Sequence, residues 1–287
     1  MQGLNFFGRI VLPWLTVTVL INSCKPKRLV YKSPPHYNFA EVQTYKLDLR
    51  IKEISGITFD NQKEEFLAHN DEKGTLFFLD KESKEIKPDR EIDFAEKGDY
   101  EDVALANGIP YVLKSNGTIT KIVSDSTGKK YGVEAGEIGL SGSKDFEAMY
   151  YDSTRKALVV ICKNCGLDTK KTISAFAFYI DSIGFVEKPV FVIDAEKISK
   201  LSPRKTSKFQ PSAAAIHPIT KQLFIISSAS RQLVIADTDG NVESVFMLAK
   251  KLFPQPEGIT FKNKGDMYIS NEAVSSKSTL LKFIYKP

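Results

Sequence analysis

The sequence predicts an all-β protein, a five-bladed β-propeller, and two observations lead to this prediction. First, a seven-residue motif recurs five times, and its third residue can be taken as an anchor. The anchors are Ser55, Glu101, Glu147, Ser212 and Glu257. They are separated by 46, 46, 65 and 45 residues, and a period of about 45 is that of one four-stranded blade. Second, short apolar runs bounded by Gly, Asn, Asp and Ser follow each motif, which is typical of strands joined by hairpins.

The first 23 residues are predicted to be a signal peptide and not part of the fold. Residues 6–21 form an apolar run with one charge, Arg9, near its start. The run ends in the Ile-Asn-Ser-Cys tetrad at residues 21–24, which resembles a bacterial lipobox. That resemblance implies cleavage before Cys24 and lipidation of this cysteine. A plain transmembrane anchor is the alternative, although the run is shorter than the roughly 20 residues that span a bilayer.

Three segments follow from this assignment: a signal peptide at 1–23, a lipidated cysteine and tether at 24–40, and a propeller domain at 41–287. They predict a cell-envelope protein that is held to a membrane by its lipid and faces the periplasm or the cell exterior. The net charge of +5 comes from scattered lysines, so a nucleic-acid partner is not expected. We expect a monomer with an unidentified ligand or protein partner.

Each blade is expected to begin at an anchor, and a second apolar run should return antiparallel to the first strand. These second runs span residues 65–71, 110–116, 157–164, 222–228 and 266–271. The chain ends 30 residues after Glu257, which leaves room for three strands. Residues 41–49 alternate in polarity, so we expect an N-terminal strand to complete the last blade and close the ring. The 65-residue step leaves a six-bladed propeller as the alternative, although long hairpins and a polar loop would fill it within five blades.

The anchors should surround one mouth of the central channel, because the innermost strand of every blade starts at the same face. Residues i and i+2 of a strand face the same way, so Asp99 would accompany Glu101 and Asp145 would accompany Glu147. Carboxylates without a nearby His or Cys suit Ca²⁺, with Mg²⁺ as the alternative. The predicted metal ligands are Glu101, Glu147, Glu257, Asp99 and Asp145. A purely structural role, in which these acids cap neighbouring strands, is the other interpretation.

The ends of the returning strands carry small polar residues at a nearly constant distance from the anchors. Together with one anchor they form the predicted rim of the site, namely Ser55, Asn70, Asn116, Asn164 and Asn271. Asp102 falls on the opposite side of its strand from Glu101 and is predicted to be structural. His69 and His217 are interpreted as hydrogen-bonded turn residues.

Two further cysteines, Cys162 and Cys165, are spaced C-x-x-C. In an exported protein this spacing favours a small disulfide in a turn. Free thiols are one alternative, and a functional motif is another, although no α/β setting for a redox pair is evident.

The motifs together resemble the SdiA-regulated family of bacterial propellers, which includes YjiK-like and calcium-regulated propeller proteins. The matching segments are residues 53–57, 69–71, 99–104, 145–148 and 255–259. The resemblance extends over residues 42–286 and implies five blades, a bound calcium ion, distant kinship to NHL repeats and an envelope location. The motif at Ser212 departs from the pattern, with alanines in place of an acid, so that blade should contribute little to a metal site.

Two functions from different classes are compatible with these features. One is a membrane-anchored calcium-binding propeller with a binding or signalling role. The alternative is a metal-dependent hydrolase of lactones or phosphoesters, in which the ion polarises the substrate or activates water and Asp99 or Asp145 is the general base. The sequence contains no G-x-S-x-G motif and no evident Ser-His-Asp set, which favours the non-enzymatic function.

Overall fold

A computed structural model describes residue 3 and residues 31–79, 85–181, 184–204, 208–274 and 277–287. The chain divides into two units, Met1–Val30 and Tyr31–Pro287, and every strand of the described residues belongs to the second. The predicted signal peptide, apart from Gly3, and the predicted lipidation site Cys24 lie outside the described residues. Within the described ranges, every helix is too short or too polar to cross a membrane.

The described part of the second unit consists of strands, with one 3-10 turn at Leu49–Ile51 and one α-helix, α1, at Ala195–Leu201. In chain order the strands are β1 (Val42–Leu47), β2 (Ile54–Asp60), β3 (Glu65–Asn70), β4 (Thr75–Leu79), β5 (Glu85–Ile86), β6 (Pro88–Asp93), β7 (Tyr100–Ala106), β8 (Ile109–Lys114), β9 (Thr118–Ser124), β10 (Lys130–Glu137), β11 (Phe146–Asp152), β12 (Ala157–Cys162), β13 (Thr172–Tyr179), β14 (Gly184–Phe185), β15 (Phe191–Asp194), β16 (Ala213–Ile216), β17 (Leu223–Ser227), β18 (Gln232–Ala236), β19 (Val242–Met247), β20 (Pro256–Phe261), β21 (Met267–Asn271) and β22 (Thr279–Phe283).

These strands form five sheets, which are the blades of a five-bladed β-propeller. Their strand orders are β2-β3-β4-β6 in blade 1, β7-β8-β9-β10 in blade 2, β11-β12-β13 with β14 and β15 in blade 3, β16-β17-β18-β19 in blade 4, and β20-β21-β22-β1-β5 in blade 5. The predicted fold class is confirmed, and the six-bladed alternative is wrong. The long step between the third and fourth anchors is occupied by β14 and β15, which both pair with β13, and by α1.

The ring is closed by the N-terminal strand, as the sequence predicts. Strand β1 pairs antiparallel with β22, so that Thr44 lies opposite Leu281. Strand β5 then pairs parallel with β1, which places Lys46 opposite Glu85. Joining the two ends of the chain in one sheet removes open edges that would otherwise be available for aggregation.

Buried apolar side chains fill the spaces between neighbouring blades. The packing begins before residue 41, the predicted start of the domain. Tyr37 is buried, and its hydroxyl donates a hydrogen bond to the Gly265 carbonyl oxygen at 2.6 Å. Phe39 packs against Phe253 and Phe283. The folded part therefore includes the end of the predicted tether, because its aromatic residues complete the core beside blade 5.

Cys162 and Cys165 are joined in a disulfide, the pairing that their spacing favours. Both are buried, and the bond closes a turn directly after β12. Asp168 brings a carboxylate oxygen within 4.8 Å of both sulfurs. This group is not a metal site here, because a sulfur in a disulfide is not the thiolate that binds metal.

Candidate cation site at the acidic mouth

A β-bulge in the innermost strand of four blades turns the anchor residue toward the channel. The strand register shifts at Glu101, Glu147 and Glu257, each of which lies between two paired residues and has no partner opposite. A similar shift covers Ser55 in blade 1. An extra residue in a strand re-aims the side chains around it. The bulge therefore frees each anchor from the packed interior between blades and lets it face the channel.

The glutamates of the motif meet in a cavity of about 200 Å³ where the innermost strands begin, which we call the acidic mouth. Seven carboxylates line it: Glu53, Asp71, Asp99, Glu101, Glu147, Glu257 and Glu272. Four of the five predicted ligands are among them. The fifth, Asp145, is absent from the lining and lies beside Lys163, with 3.9 Å between its Oδ2 and the Lys163 Nζ.

Three lining acids were not among the predicted ligands, namely Glu53, Asp71 and Glu272. The position of each relative to the motif or to a strand end could have indicated it. Glu53 precedes Ser55 by two residues, as Asp99 precedes Glu101. Asp71 and Glu272 directly follow the asparagines that end β3 and β21. The residue after the strand end therefore reaches the cavity, whereas the asparagine itself does not line it.

The predicted rim asparagines lie outside the cavity lining, and two of them bond the backbone of their own loops. Asn70 accepts a hydrogen bond from the Lys73 amide, and Asn116 accepts one from the Thr118 amide. Asn271 is buried and donates to the Leu252 carbonyl oxygen. Asn164 is exposed. This is the usual role of an asparagine at the start of a turn, where its side chain bonds the backbone a few residues on.

The two serine anchors connect adjacent blades. Ser55 lines the mouth, and its hydroxyl donates to the Glu101 carbonyl oxygen at 2.9 Å. Ser212 connects blade 4 to blade 5 in the same way, since its hydroxyl donates to the Pro256 carbonyl oxygen at 3.0 Å. Blade 4 thus contributes no carboxylate to the cavity lining, as its divergent motif predicts.

Burial and crowding hold some of these acids in their protonated form to unusually high pH. Burial, with the nearby Asp99 carboxyl, raises the pKa of Glu101 to about 8. Burial raises the pKa of Glu257 to about 7, although hydrogen bonds from Ser228 and Gln255 oppose the shift. Burial also raises the pKa of Asp71 and of Glu272. The mouth therefore gathers more carboxyl groups than its surroundings can stabilise in the charged form.

Two lysines supply counter-charge to this cavity in the described part of the chain. Lys163 Nζ contacts Glu147 Oε1, and Lys52 Nζ lies 2.7 Å from Glu53 Oε1. Lys52 is largely exposed, so its pair with Glu53 is weakened by solvent. Five of the seven lining acids thus have no ion pair with a described lysine or arginine.

A hard cation suits this donor set in chemistry and in charge. The lining offers carboxylate and amide oxygens and contains no His or Cys. In the described residues, Cys162, Cys165 and Asp168 are the one group of three whose ligand atoms lie within 4.8 Å of one another. The mouth carboxylates are therefore spaced more widely than direct ligands of one ion, and they would have to draw inward or bind it through water.

The opposite end of the channel differs in charge. It opens into a larger cavity of about 630 Å³ whose lining includes two carboxylates, Asp102 and Asp152. Asp152 pairs with Arg155, and Asp102 accepts hydrogen bonds from two backbone amides. The unpaired negative charge of the channel lining is thus concentrated at the acidic mouth.

Asp102 joins blade 2 to blade 3, in keeping with the structural role predicted for it. It is buried, and its Oδ1 and Oδ2 accept from the amides of Val103 and Met149, each at 2.8 Å. His69 is buried beside it within β3 and is not the turn residue that the sequence predicts; its Nδ1 lies 3.0 Å from the Asn70 carbonyl oxygen. A Cβ at Gly56 would lie 2.6 Å from His69 Nε2 and 2.8 Å from Asp102 Oδ1, so only glycine fits between them.

His217 is a hydrogen-bonded turn residue, as predicted. Its Nδ1 accepts from the amides of Ile219 and Thr220, which leaves Nε2 to donate to the Tyr37 hydroxyl at 2.7 Å. Burial lowers the pKa of His217 to about 4, so its ring stays neutral at physiological pH.

A model of the SdiA-regulated family matches residues 34–274, a range that includes every carboxylate of the acidic mouth. The chain belongs to the SdiA-regulated family. The resemblance inferred from the repeated motifs is thus confirmed. Membership of the SdiA-regulated family does not bear on the lipidated form, which stays a prediction.

Solved structures share the propeller fold at low sequence identity. A glutaminyl cyclase from Myxococcus xanthus is similar with a TM-score of 0.56 at 15% identity, over 84% of this chain and 94% of that one. A protein from Bacteroides thetaiotaomicron is similar with a TM-score of 0.52 at 15% identity, over 80% of this chain and 58% of that one. A gluconolactonase from Xanthomonas campestris is similar with a TM-score of 0.51 at 12% identity, over 86% of this chain and 81% of that one. At such identities the likeness shows the fold and no shared activity.

Proposed function

We propose that this protein is a lipid-anchored propeller of the cell envelope whose acidic mouth binds Ca²⁺ in a binding or signalling role. The observation that carries the proposal is the convergence of seven carboxylates on one cavity with two lysine partners. Like charges gathered in this way repel and force some groups to stay protonated. A divalent cation would relieve that repulsion and stabilise the folded state.

Three glutamates are the first candidates for ligands, because their bulged positions in three blades aim them at the same cavity. They are Glu101, Glu147 and Glu257. Asp99 also lines the mouth, and its Oδ2 accepts a hydrogen bond from the Ser115 hydroxyl. Asp145 is assigned an outer role, beside Lys163.

Calcium is favoured over magnesium by the construction of the cavity. Its acids come from separate blades and from loops after strand ends, which is a poor frame for a small, regular octahedron. Ca²⁺ accepts six to eight oxygen ligands at about 2.3–2.6 Å in flexible geometry, whereas Mg²⁺ demands near-ideal geometry at about 2.0–2.1 Å. Long glutamate side chains can also move inward, which a wide ring of acids requires.

The remaining features of the proposal come from the N-terminal sequence. Lipidation at Cys24 would hold the protein to a membrane and place the propeller in the periplasm or at the cell exterior. Extracellular modules bind calcium with Kd values of about 10⁻⁴–10⁻³ M. A site this weak can therefore be filled outside the cytoplasm. The propeller would act as a monomer whose mouth presents the ion to a ligand or a protein partner.

Thermal unfolding with and without calcium tests this proposal. A ligand that binds only the folded state at about 100 times its Kd stabilises that state by about 2.7 kcal/mol. For a domain of this size we expect the melting temperature to rise by roughly 5–10 °C over that in EDTA. The double variant Glu101→Gln, Glu147→Gln should lose this response.

The matched control is Glu134→Gln, Glu187→Gln, which removes the same charge from two exposed positions outside the mouth. It should respond to calcium as the parent protein does. An unmodified protein whose melting temperature is the same in EDTA and in calcium would overturn the proposal.

A metal-dependent hydrolase of lactones or phosphoesters is the second candidate function. The observation that favours it is the Glu101 pKa of about 8 inside a cavity, because a carboxyl that titrates near neutrality can act as a general acid or base. A bound ion would supply Lewis acidity to the substrate oxygen. Screening lactones and phosphoesters with the calcium-loaded protein distinguishes the two functions. Turnover that requires calcium and disappears in EDTA would support the hydrolase.

A further inference from the structure

Lys163 places a positive charge beside the acidic mouth, and it extends from a short turn. It follows the last residue of β12 and lies inside the loop closed by the Cys162–Cys165 disulfide. Its backbone amide donates to the Asp145 carbonyl oxygen at 2.9 Å. Both the disulfide and this hydrogen bond anchor the backbone from which the side chain extends.

The ammonium group of Lys163 lies beside one acid of the cavity lining and one acid outside it. Nζ contacts Glu147 Oε1 and lies 3.9 Å from Asp145 Oδ2. About a third of the Lys163 side chain is exposed and Glu147 is less exposed, so this pair is only partly screened by solvent.

The charge of Lys163 also acts across the cavity on acids from other blades. Burial dominates the raised pKa of Glu101 and of Glu257, and the Lys163 charge opposes that rise in both. One ammonium thus interacts with acids that come from three bulged strands. A divalent ion placed among the same acids would be repelled by the Lys163 charge and would compete with it for Glu147.

We infer that Lys163 is a tethered cation that holds the acidic mouth together without metal and must leave Glu147 when calcium binds. This inference rests on the proposed function and adds a residue that sets the calcium affinity. The repulsion between an ammonium and a divalent ion a few ångströms apart weakens binding, because the Coulomb energy scales with the product of the charges. The site would then fill only where calcium is abundant, as outside the cell.

Calcium titration by isothermal calorimetry on the purified full chain tests the inference, with melting temperatures in EDTA as a second readout. Lys163→Gln should bind calcium about 10-fold more tightly than the parent, a change that corresponds to the loss of one repulsive charge. In EDTA the same variant should melt at a lower temperature, because its acids have lost their counter-charge. Opposite changes in the two readouts are the signature of a competing cation.

Two variants serve as controls. Lys163→Arg keeps the charge, and its calcium affinity should stay within about threefold of the parent. Lys144→Gln removes a lysine that pairs with Glu137, an acid outside the cavity lining, and it should also bind calcium as the parent does. Equal tightening in Lys144→Gln and Lys163→Gln would show a general charge effect and overturn the inference.

The failure of this inference can be distinguished from that of the proposed function. If the parent binds calcium and Lys163→Gln binds it no more tightly, Lys163 is not a competitor and only this inference fails. If Lys163→Gln binds more weakly, the lysine organises the site and the inference is again overturned. If neither protein binds calcium, both proposals fail together.

Discussion

Replacing Asp102 with alanine is expected to destabilise the propeller by roughly 2–5 kcal/mol. Its two carboxyl oxygens accept from the amides of Val103 and Met149, and the second bond joins neighbouring blades. Asp102 is buried, so water replaces the lost acceptor poorly, and each unsatisfied amide costs about 1–3 kcal/mol. Burial raises the pKa of Asp102 well above its usual range, and the hydrogen bonds from the Met149 and Val103 amides oppose that shift.

Urea denaturation followed by far-ultraviolet circular dichroism measures this effect. The matched control is Asp237→Ala, because Asp237 also accepts from two backbone amides, those of Asp239 and Asn241, but at an exposed loop. Water can take over there, so its loss should cost about 1 kcal/mol or less. Asp102→Asn keeps one acceptor oxygen and should fall between the two. Equal effects of Asp102→Ala and Asp237→Ala would contradict the structural role of Asp102.

Without metal, the propeller should lose stability as the pH rises from about 4.5 to 8. The pKa of Glu101 is raised to about 8 and that of Glu257 to about 7 from an ordinary value of 4.5. The folded state therefore holds more protons than the unfolded state in this range, and stability falls with pH wherever that is true. The stabilisation is fully present below pH 4.5 and is lost as the two groups ionise.

Melting temperatures in EDTA at several pH values between 5 and 8.5 test this expectation. The double variant Glu101→Gln, Glu257→Gln should show a flatter dependence, because neither amide side chain titrates. Calcium should reverse the trend in the parent, since metal binding requires deprotonated ligands and strengthens as they ionise. A double variant that keeps the full pH dependence of the parent would show that other groups cause it.

The blade count could be predicted from sequence because the repeated motif reflects a structural requirement. Each blade needs an innermost strand that starts at the same face, and the bulge that carries Glu101, Glu147 or Glu257 recurs at that point. Ring closure could be predicted for a related reason, since the last blade lacked a strand and residues 41–49 supplied one.

The composition of the site was less predictable, because much of it comes from loops. Asp71 and Glu272 follow strand ends, where backbone direction is set by turn geometry and not by a simple alternation. The bulge also changes which residues share a face: Phe146 and Met149 pack in the same cluster although they are three residues apart. The same spacing from the anchor predicted both Asp99 and Asp145 as site residues, but the structure has only Asp99 in the lining and leaves Asp145 outside it, beside Lys163.

Tyr37 shows the same limit at the start of the domain. It lies in a polar, proline-containing stretch that resembles a tether. Its burial depends on a gap between distant parts of the chain, where it meets Gly265 and His217. No local pattern in the sequence records such a contact.

A crystal structure of the protein grown with calcium, with anomalous scattering used to locate the ion, tests the central claim most directly. We predict one calcium ion in the acidic mouth, bonded to oxygens of Glu101, Glu147 and Glu257 that have moved inward, with the Lys163 ammonium withdrawn from Glu147. Crystals at saturating calcium whose mouth contains no ion, with Lys163 still in contact with Glu147, would contradict the account.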